Sequence, residues 1–316
     1  LMDKASGEPY LAGGKQVAAE VTFTPDKSDG TLELTFTFSG TGLTGHTLVV
    51  FETLSYNDLE LAGHTEIDDQ GQTVDYPRIY LGTTATDLLT ETHQGFARRD
   101  TVIADDVVYK GAEPGQEYTI KGTLIDKDTG KPYLSGGTPV TAEKTFTAHE
   151  TDGNIRLEFT FDGSELGGTT LVVFEALYYG EAQVAGHEDL TDEGQSVTYP
   201  EITLKTEAVD QASGSHEAQA GDSLTIVDTV AYTGLIPGKE YTMTGILMDK
   251  STGTAFLANG NEITSKLTFT PQEPDGSVEM AYTFNGSHLD DKALVVFESL
   301  YYGELEIGTH KDINDA

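Results

Sequence analysis

Cysteine is absent from the 316 residues, which removes disulfides, thiolate metal sites and cysteine nucleophiles together. Basic residues are scarce. Eighteen Lys and Arg stand against 53 Asp and Glu, a formal charge of −35. A nucleic-acid binder must neutralise phosphates, and a protein docking on anionic lipid needs a basic face, so neither nucleic acid nor membrane is expected as a partner. No apolar run approaches the roughly 18 residues of a membrane span, Leu1 opens nothing like a signal peptide, and no window sustains helical periodicity. Against these absences, 37% apolar and 22% charged residues suffice for packed cores and argue against a disordered acidic tail. At about 100–200 residues per domain, the length predicts two or three domains.

What is present repeats. Val-Val-Phe-Glu occurs three times, with its glutamate at Glu52, Glu175 and Glu298, and both intervals are 123 residues. His64, His187 and His310 keep that interval, as do Asp29, Asp152 and Asp275, Asp87 and Asp210, and Pro114 and Pro237. A period of this length is domain-sized, so the chain reads as a tandem array and not as a solenoid of roughly 20–45-residue repeats. The pairs Tyr76-Pro77 and Tyr199-Pro200 set the phase: a unit over 1–77, a complete unit over 78–200 and a third over 201–316. By that phasing the first unit lacks the opening 46 positions of the period and the third its last seven, and the chain is expected to be a slice of a longer polypeptide. No Gly/Ser-rich linker intervenes, so short, stiff joints and an extended rod are expected.

Each unit reads as β. Leu32–Phe38 alternates with period two after the turn Ser28-Asp29-Gly30, and Glu117–Ile125 runs into the turn Asp126–Gly130. Turn residues recur about every dozen positions. Some seven to nine short strands per unit predict an all-β fold of antiparallel, immunoglobulin-like sandwiches.

Alternation then places polar residues in apolar rows. One row is Ile79, Leu81, Thr83, Ala85, repeated as Ile202, Leu204, Thr206, Ala208. A second is Ile103, Asp105, Val107, Tyr109, repeated with Asp228. Val173, Glu175, Leu177 form a third, and Gln195, Val197, Tyr199 a fourth, matched by Gln72, Val74, Tyr76. Burying an ionised carboxylate without a partner costs several kcal/mol, so a core has little use for two per unit. Either these are edge strands or faces offset by one residue, or Thr, Asp, Glu and Gln meet inside the sandwich. If they meet, two close carboxyls share a proton. Such a pair can take the Thr hydroxyl proton and supply one to departing ammonia. His187, eight residues before Gln195 as His64 is before Gln72, could polarise the amide oxygen. The product would be a Thr–Gln ester, made once in its own scaffold.

These residues carry a resemblance. Thr83/Ala85/Asp87, the Ile103–Tyr109 strand, the Tyr118–Gly130 hairpin, Val-Val-Phe-Glu and the His187/Gln195/Val197 spacing resemble the VaFE-repeat surface-anchored proteins, whose repeats are Thr–Gln ester bond domains. The resemblance implies collagen-adhesin B-type sandwiches in the stalk of a Gram-positive cell-surface adhesin, wall-anchored in the full-length protein. It implies an autocatalytic ester joining Thr83 to Gln195, assisted by Asp105, Glu175 and His187. In the third unit it implies Thr206, Asp228, Glu298 and His310, with the glutamine at position 318, beyond Ala316. In the first it implies Glu52, His64 and Gln72, whose Thr and Asp would precede Leu1.

Other constellations are weaker. The acidic segments after His64 and His187 lack EF-hand spacing and read as solvated loops, not calcium sites. His93 and His216 read as exposed turn residues. Lys4, Lys127 and Lys250 recur, but no strand Asn recurs with them for an isopeptide. Of the pairs Tyr178-Tyr179 and Tyr301-Tyr302, one member is expected to face the core and one a joint. The expectation is therefore a stalk of repeats in contact end to end, with no cofactor, no metal and no turnover enzyme. The alternative is a ligand-binding repeat module of a surface adhesin.

Overall fold

The structure, a computed structural model, describes residues 1–40, 42–287, 289 and 292–315. Its regular structure is antiparallel strand, with two single-turn 3-10 helices and no α-helix among the described residues. The long strands are those whose sequences alternate and are rich in β-branched and aromatic residues. Thr101–Lys110, for example, buries Ile103, Asp105, Val107 and Tyr109 while Val108 and Lys110 face outward.

The central repeat is two facing sheets. One has three strands in the order Asp152–Phe161, Thr101–Lys110, Tyr80–Asp87. The other runs Lys131–Pro132, Glu117–Asp126, Thr169–Tyr179, Ala182–His187; Thr141–Thr147 pairs with the second of these strands and Ser196–Tyr199 with the third. Between the sheets lies one apolar core, including Ile103, Val107, Ile120, Leu157, Phe159, Leu171, Val173 and Val197. Gly122 is needed there, because a Cβ on it would come within 2.5 Å of the Phe159 ring. Gly122 pairs directly with Glu175. The hairpin Glu117–Asp126 ends as expected: the Gly130 N–H closes the turn on the Asp126 carbonyl at 2.8 Å, with Gly130 at φ +65°.

Residues 203–310 repeat the arrangement. Thr203–Asp210, Leu224–Thr233 and Gly276–Phe284 form one sheet. Tyr241–Asp249, Leu294–Tyr302 and Leu305–His310 form the other, with Thr264–Phe269 and the short strand Thr254–Ala255 beside Tyr241–Asp249.

The first 77 residues differ. Met2–Asp3, Thr47–Val49 and Thr73–Asp75 make a small sheet, and Glu52–Tyr56 pairs with Leu59–His64. Leu32–Phe38, expected as a strand, joins no ladder. In the central repeat the matching strand, Asp152–Phe161, pairs with Thr101–Lys110. Among the described residues no strand lies beside Leu32–Phe38 in that way. Phe36 and Phe38 instead rest against a small cluster of Tyr10, Val17, Leu43 and Leu48.

Candidate functional site

The four polar residues set in apolar rows reach the centre of the sandwich from both sheets. Thr83 and Asp105 come from the three-stranded sheet, where Asp105 pairs with Ala85 and Thr83 with Val107. Glu175 and His187 are direct cross-strand partners in the opposite sheet. Gln195 is the last residue of the 3-10 helix Glu193–Gln195, which packs on the Thr83 strand; a Cβ on Gly194 would lie 3.7 Å from the Thr83 carbonyl oxygen. This corrects one expectation. Gln195 and Gln72 sit on 3-10 turns, and the strands begin one residue later, at Ser196 and Thr73. The turn presents the Gln195 side chain to the core, where its amide meets Glu175.

Asp105 and Gln195 are wholly buried and Glu175 is 1% exposed. Gln195 Nε2 donates to Glu175 Oε2 at 2.6 Å. Loss of hydration is the main cause that pushes both carboxyls above the usual carboxylate range, and for Glu175 the neighbouring Asp105 adds to it. As two carboxylates, Asp105 and Glu175 would leave both Asp105 oxygens and Glu175 Oε1 without a donor. A proton held between them would turn the same contact into an O–H···O bond and leave one charge fewer to desolvate. Thr83 stands close enough to Asp105 to favour its charged form, yet its buried Oγ1 completes no hydrogen bond of normal geometry. Gln195 Oε1 and His187 Nδ1 are also buried without partners. A hydroxyl, an amide, an imidazole and a carboxyl pair thus converge between the sheets, the carboxyls and amide fully buried and Thr83 and His187 half-buried.

The third repeat has the same set. Asp228 and Glu298 are wholly buried, and loss of hydration again raises both, Glu298 to about 9. Thr206 Oγ1 lies 3.4 Å from His310 Nδ1, which is 3.4 Å from Glu298 Oε2. In the first repeat Gln72 Nε2 donates to Glu52 Oε2, and Glu52 pairs with His64, but His64 is exposed. The structure therefore brings together all five expected residues centrally, four in the third repeat and three in the first.

One recurrent group was not among the expected residues. Asp69, Asp192 and Asp315 each lie five positions after the histidine, at the 123-residue interval. Each approaches histidine Nε2, at 2.8, 3.2 and 3.4 Å respectively. Asp192 also caps the glutamine-bearing 3-10 helix, its Oδ1 accepting the Gly194 N–H at 2.7 Å, as Asp69 does for Gly71. One carboxylate so fixes both the imidazole and the turn that presents the amide. The interval was the signal, lost among many acidic residues in a polar loop.

The other constellations lie elsewhere. His93 and His216 are exposed; His216 Nδ1 lies 3.0 Å from the Ala208 carbonyl and its Nε2 4.0 Å from Glu207 Oε1. Lys127 Nζ donates to Ser196 Oγ at 3.2 Å and Lys250 Nζ to the Asp315 carbonyl at 2.6 Å.

Comparison with curated proteins gives no match. Among solved structures, an adhesin from Mobiluncus mulieris containing intramolecular disulfide, isopeptide and ester bond cross-links is 15% identical, with a TM-score of 0.35, over 71% of this chain and 80% of that one. The C-terminal domain of the AgI/II polypeptide BspA from Streptococcus agalactiae is 9% identical, with a TM-score of 0.36, over 73% and 98%. A family model described as the T-Q ester bond containing domain matches three times, over residues 1–76, 79–199 and 202–316. With nearly every residue inside one of those three matches and the Thr, Gln and carboxyl set in place, the chain belongs to the T-Q ester bond containing domain family.

Proposed function

We propose that the central repeat closes itself with an ester between Thr83 Oγ1 and the Gln195 side-chain carbonyl carbon. The observation that carries this reading is the Asp105–Glu175 pair, buried between the sheets, with the Gln195 amide on Glu175 and Thr83 beside Asp105. The carboxyl pair, holding one proton, accepts the Thr83 proton as Oγ1 attacks the amide carbon. Charge developing on Gln195 Oε1 is met by His187 Nδ1, with Asp192 holding the imidazole from its other side. The Gln195 C–N bond breaks as the pair returns a proton to nitrogen. A hydroxyl and a primary amide become an ester and one ammonia, with no net change in charge and no external reagent. The reacting groups are fixed neighbours, which supplies the effective molarity that esterification in water lacks. Each scaffold reacts once, so this is not a turnover enzyme.

The product joins the first strand of the unit to its last residues and bridges the two sheets. Tension entering at one end and leaving at the other then passes through a covalent bond and around the hydrogen-bonded ladders. In a chain without cysteine this takes the place of disulfides. We read the array as a force- and protease-resistant stalk segment of a bacterial cell-surface adhesin, anchored to the cell wall, with domains over 1–77, 78–200 and 201–316. Intact-mass measurement tests the chemistry: mature protein should be lighter than its sequence by one ammonia, and a peptide pair containing Thr83 and Gln195 should survive reduction. Full sequence mass with separate peptides would refute it.

A further inference from the structure

Phe96 belongs by sequence to a loop of the central repeat, yet it is 1% exposed and is counted in the core of the third. Its ring lies 4.9 Å from Tyr302 and 6.2 Å from Tyr241 between centroids. Beside it, Lys239 Nζ of the third repeat donates to the Thr90 carbonyl at 2.8 Å.

The loop is held rigidly at its base. Buried Asp87 accepts from the Leu89 and Thr90 N–H groups through Oδ1, at 2.9 and 3.2 Å. Its Oδ2 accepts from Arg98 Nη1 at 2.8 Å and from the Tyr199 hydroxyl at 3.2 Å. The backbone adds Gly95 N–H to the Thr198 carbonyl at 2.9 Å and Thr198 N–H to the His93 carbonyl at 2.8 Å. Gly95 is required: a Cβ would fall 2.6 Å from the Tyr199 ring and 2.7 Å from Asp87 Oδ2. An aromatic side chain carried on so constrained a loop loses little entropy on docking.

The matching positions elsewhere are different. The counterparts of Phe96 and Arg98 in the third repeat are Gln219 and Gly221, and that of Lys239 in the central repeat is Gln116. Tyr179, counterpart of Tyr302, is 48% exposed and hydrogen-bonds Gln116 instead. The tyrosine pair therefore recurs, as Tyr118 and Tyr179, whereas the lysine is particular to the third repeat and the phenylalanine is not repeated in the third repeat's own loop.

We propose that the Leu88–Arg98 loop is an inter-repeat plug, and that Phe96, seated on the Tyr241–Tyr302 face with Lys239 on Thr90, fixes the angle between the central and third repeats. This does not depend on the ester reading. Because the chain has no cysteine, Lys131→Cys and Thr254→Cys, equivalent exposed positions of the two repeats, accept spin labels specifically in the full chain. Pulsed dipolar spectroscopy should give one narrow distance distribution in the labelled parent, a broadened one with Phe96→Ala or Lys239→Ala, and a narrow one with Phe96→Leu. Amide exchange of Tyr241–Asp249 should stay at the parent level in each variant. Unchanged widths in both Phe96→Ala and Lys239→Ala would overturn the proposal. So would general loss of exchange protection in the third repeat, because Phe96 would then serve that core and not the joint.

Discussion

Replacing Thr83 by Val removes the hydroxyl while keeping the β-branched shape of a half-buried strand residue. The change in shape and polarity at such a site is worth about 1 kcal/mol or less. Loss of the cross-link is a larger effect. Gln195 follows Thr83 by 112 positions (195 − 83), so the ester closes a loop nearly as long as the repeat. Chain-entropy arithmetic for a closed loop of that length gives about 5 kcal/mol of stabilisation at 25 °C, acting through the unfolded state. For a unit of this size each kcal/mol moves Tm by about 3–6 °C, so the central repeat of the Thr83→Val chain should melt about 15–30 °C below that of the parent. Calorimetry on the full chain should show the central transition moving while the transition of the third repeat stays put. Intact mass should show the ammonia retained. Thr83→Ser, which restores a hydroxyl, should recover both the mass loss and most of the Tm. A Thr83→Val chain that still sheds ammonia, or that melts with the parent, would refute the reasoning.

Glu175→Gln and Asp105→Asn should each give a folded, unlinked central repeat with full sequence mass, because the sandwich core forms independently of the carboxyl pair. Linkage at the parent rate would remove that residue from the mechanism. Asp192→Ala should slow linkage by freeing His187, and should cost about 1 kcal/mol through the lost 3-10 cap; time-resolved mass spectrometry and calorimetry separate the two effects. The pH dependence has a definite sign. In the Thr83→Val chain the folded Asp105–Glu175 pair keeps a proton that the unfolded chain releases above the ordinary glutamate value of 4.5. The folded state therefore binds more protons. This part of the stability is fully present at acid pH and falls as pH rises from that value through neutrality, by up to about 1.4 kcal/mol per pH unit. Denaturant melts at pH about 5, 7 and 9 should show that slope, and adding Asp105→Asn together with Glu175→Gln should flatten the contribution of the central repeat; a slope unaffected by loss of both carboxyls would refute the retained proton.

Much was already legible in the residues themselves. Strand alternation has a period of two, so a Thr, an Asp or a Glu in an apolar row is visible without coordinates, and Thr83, Asp105 and Glu175 do face inward. Recurrence at one interval made each of these positions stand out in a single sequence. Three things needed the tertiary structure. Alternation specifies a face but not a partner, so Leu32–Phe38 has strand sequence and no ladder, whereas Asp152–Phe161 has both. Local pattern could not place Gln195 on a 3-10 turn or pick Asp192 out of an acidic loop, because caps depend on backbone direction and charge partners on distance. Phe96 carries no signal at all within its own repeat. A lone aromatic in a polar loop acquires its meaning only from the Tyr241–Tyr302 face, 145 to 206 residues further along the chain, that covers it.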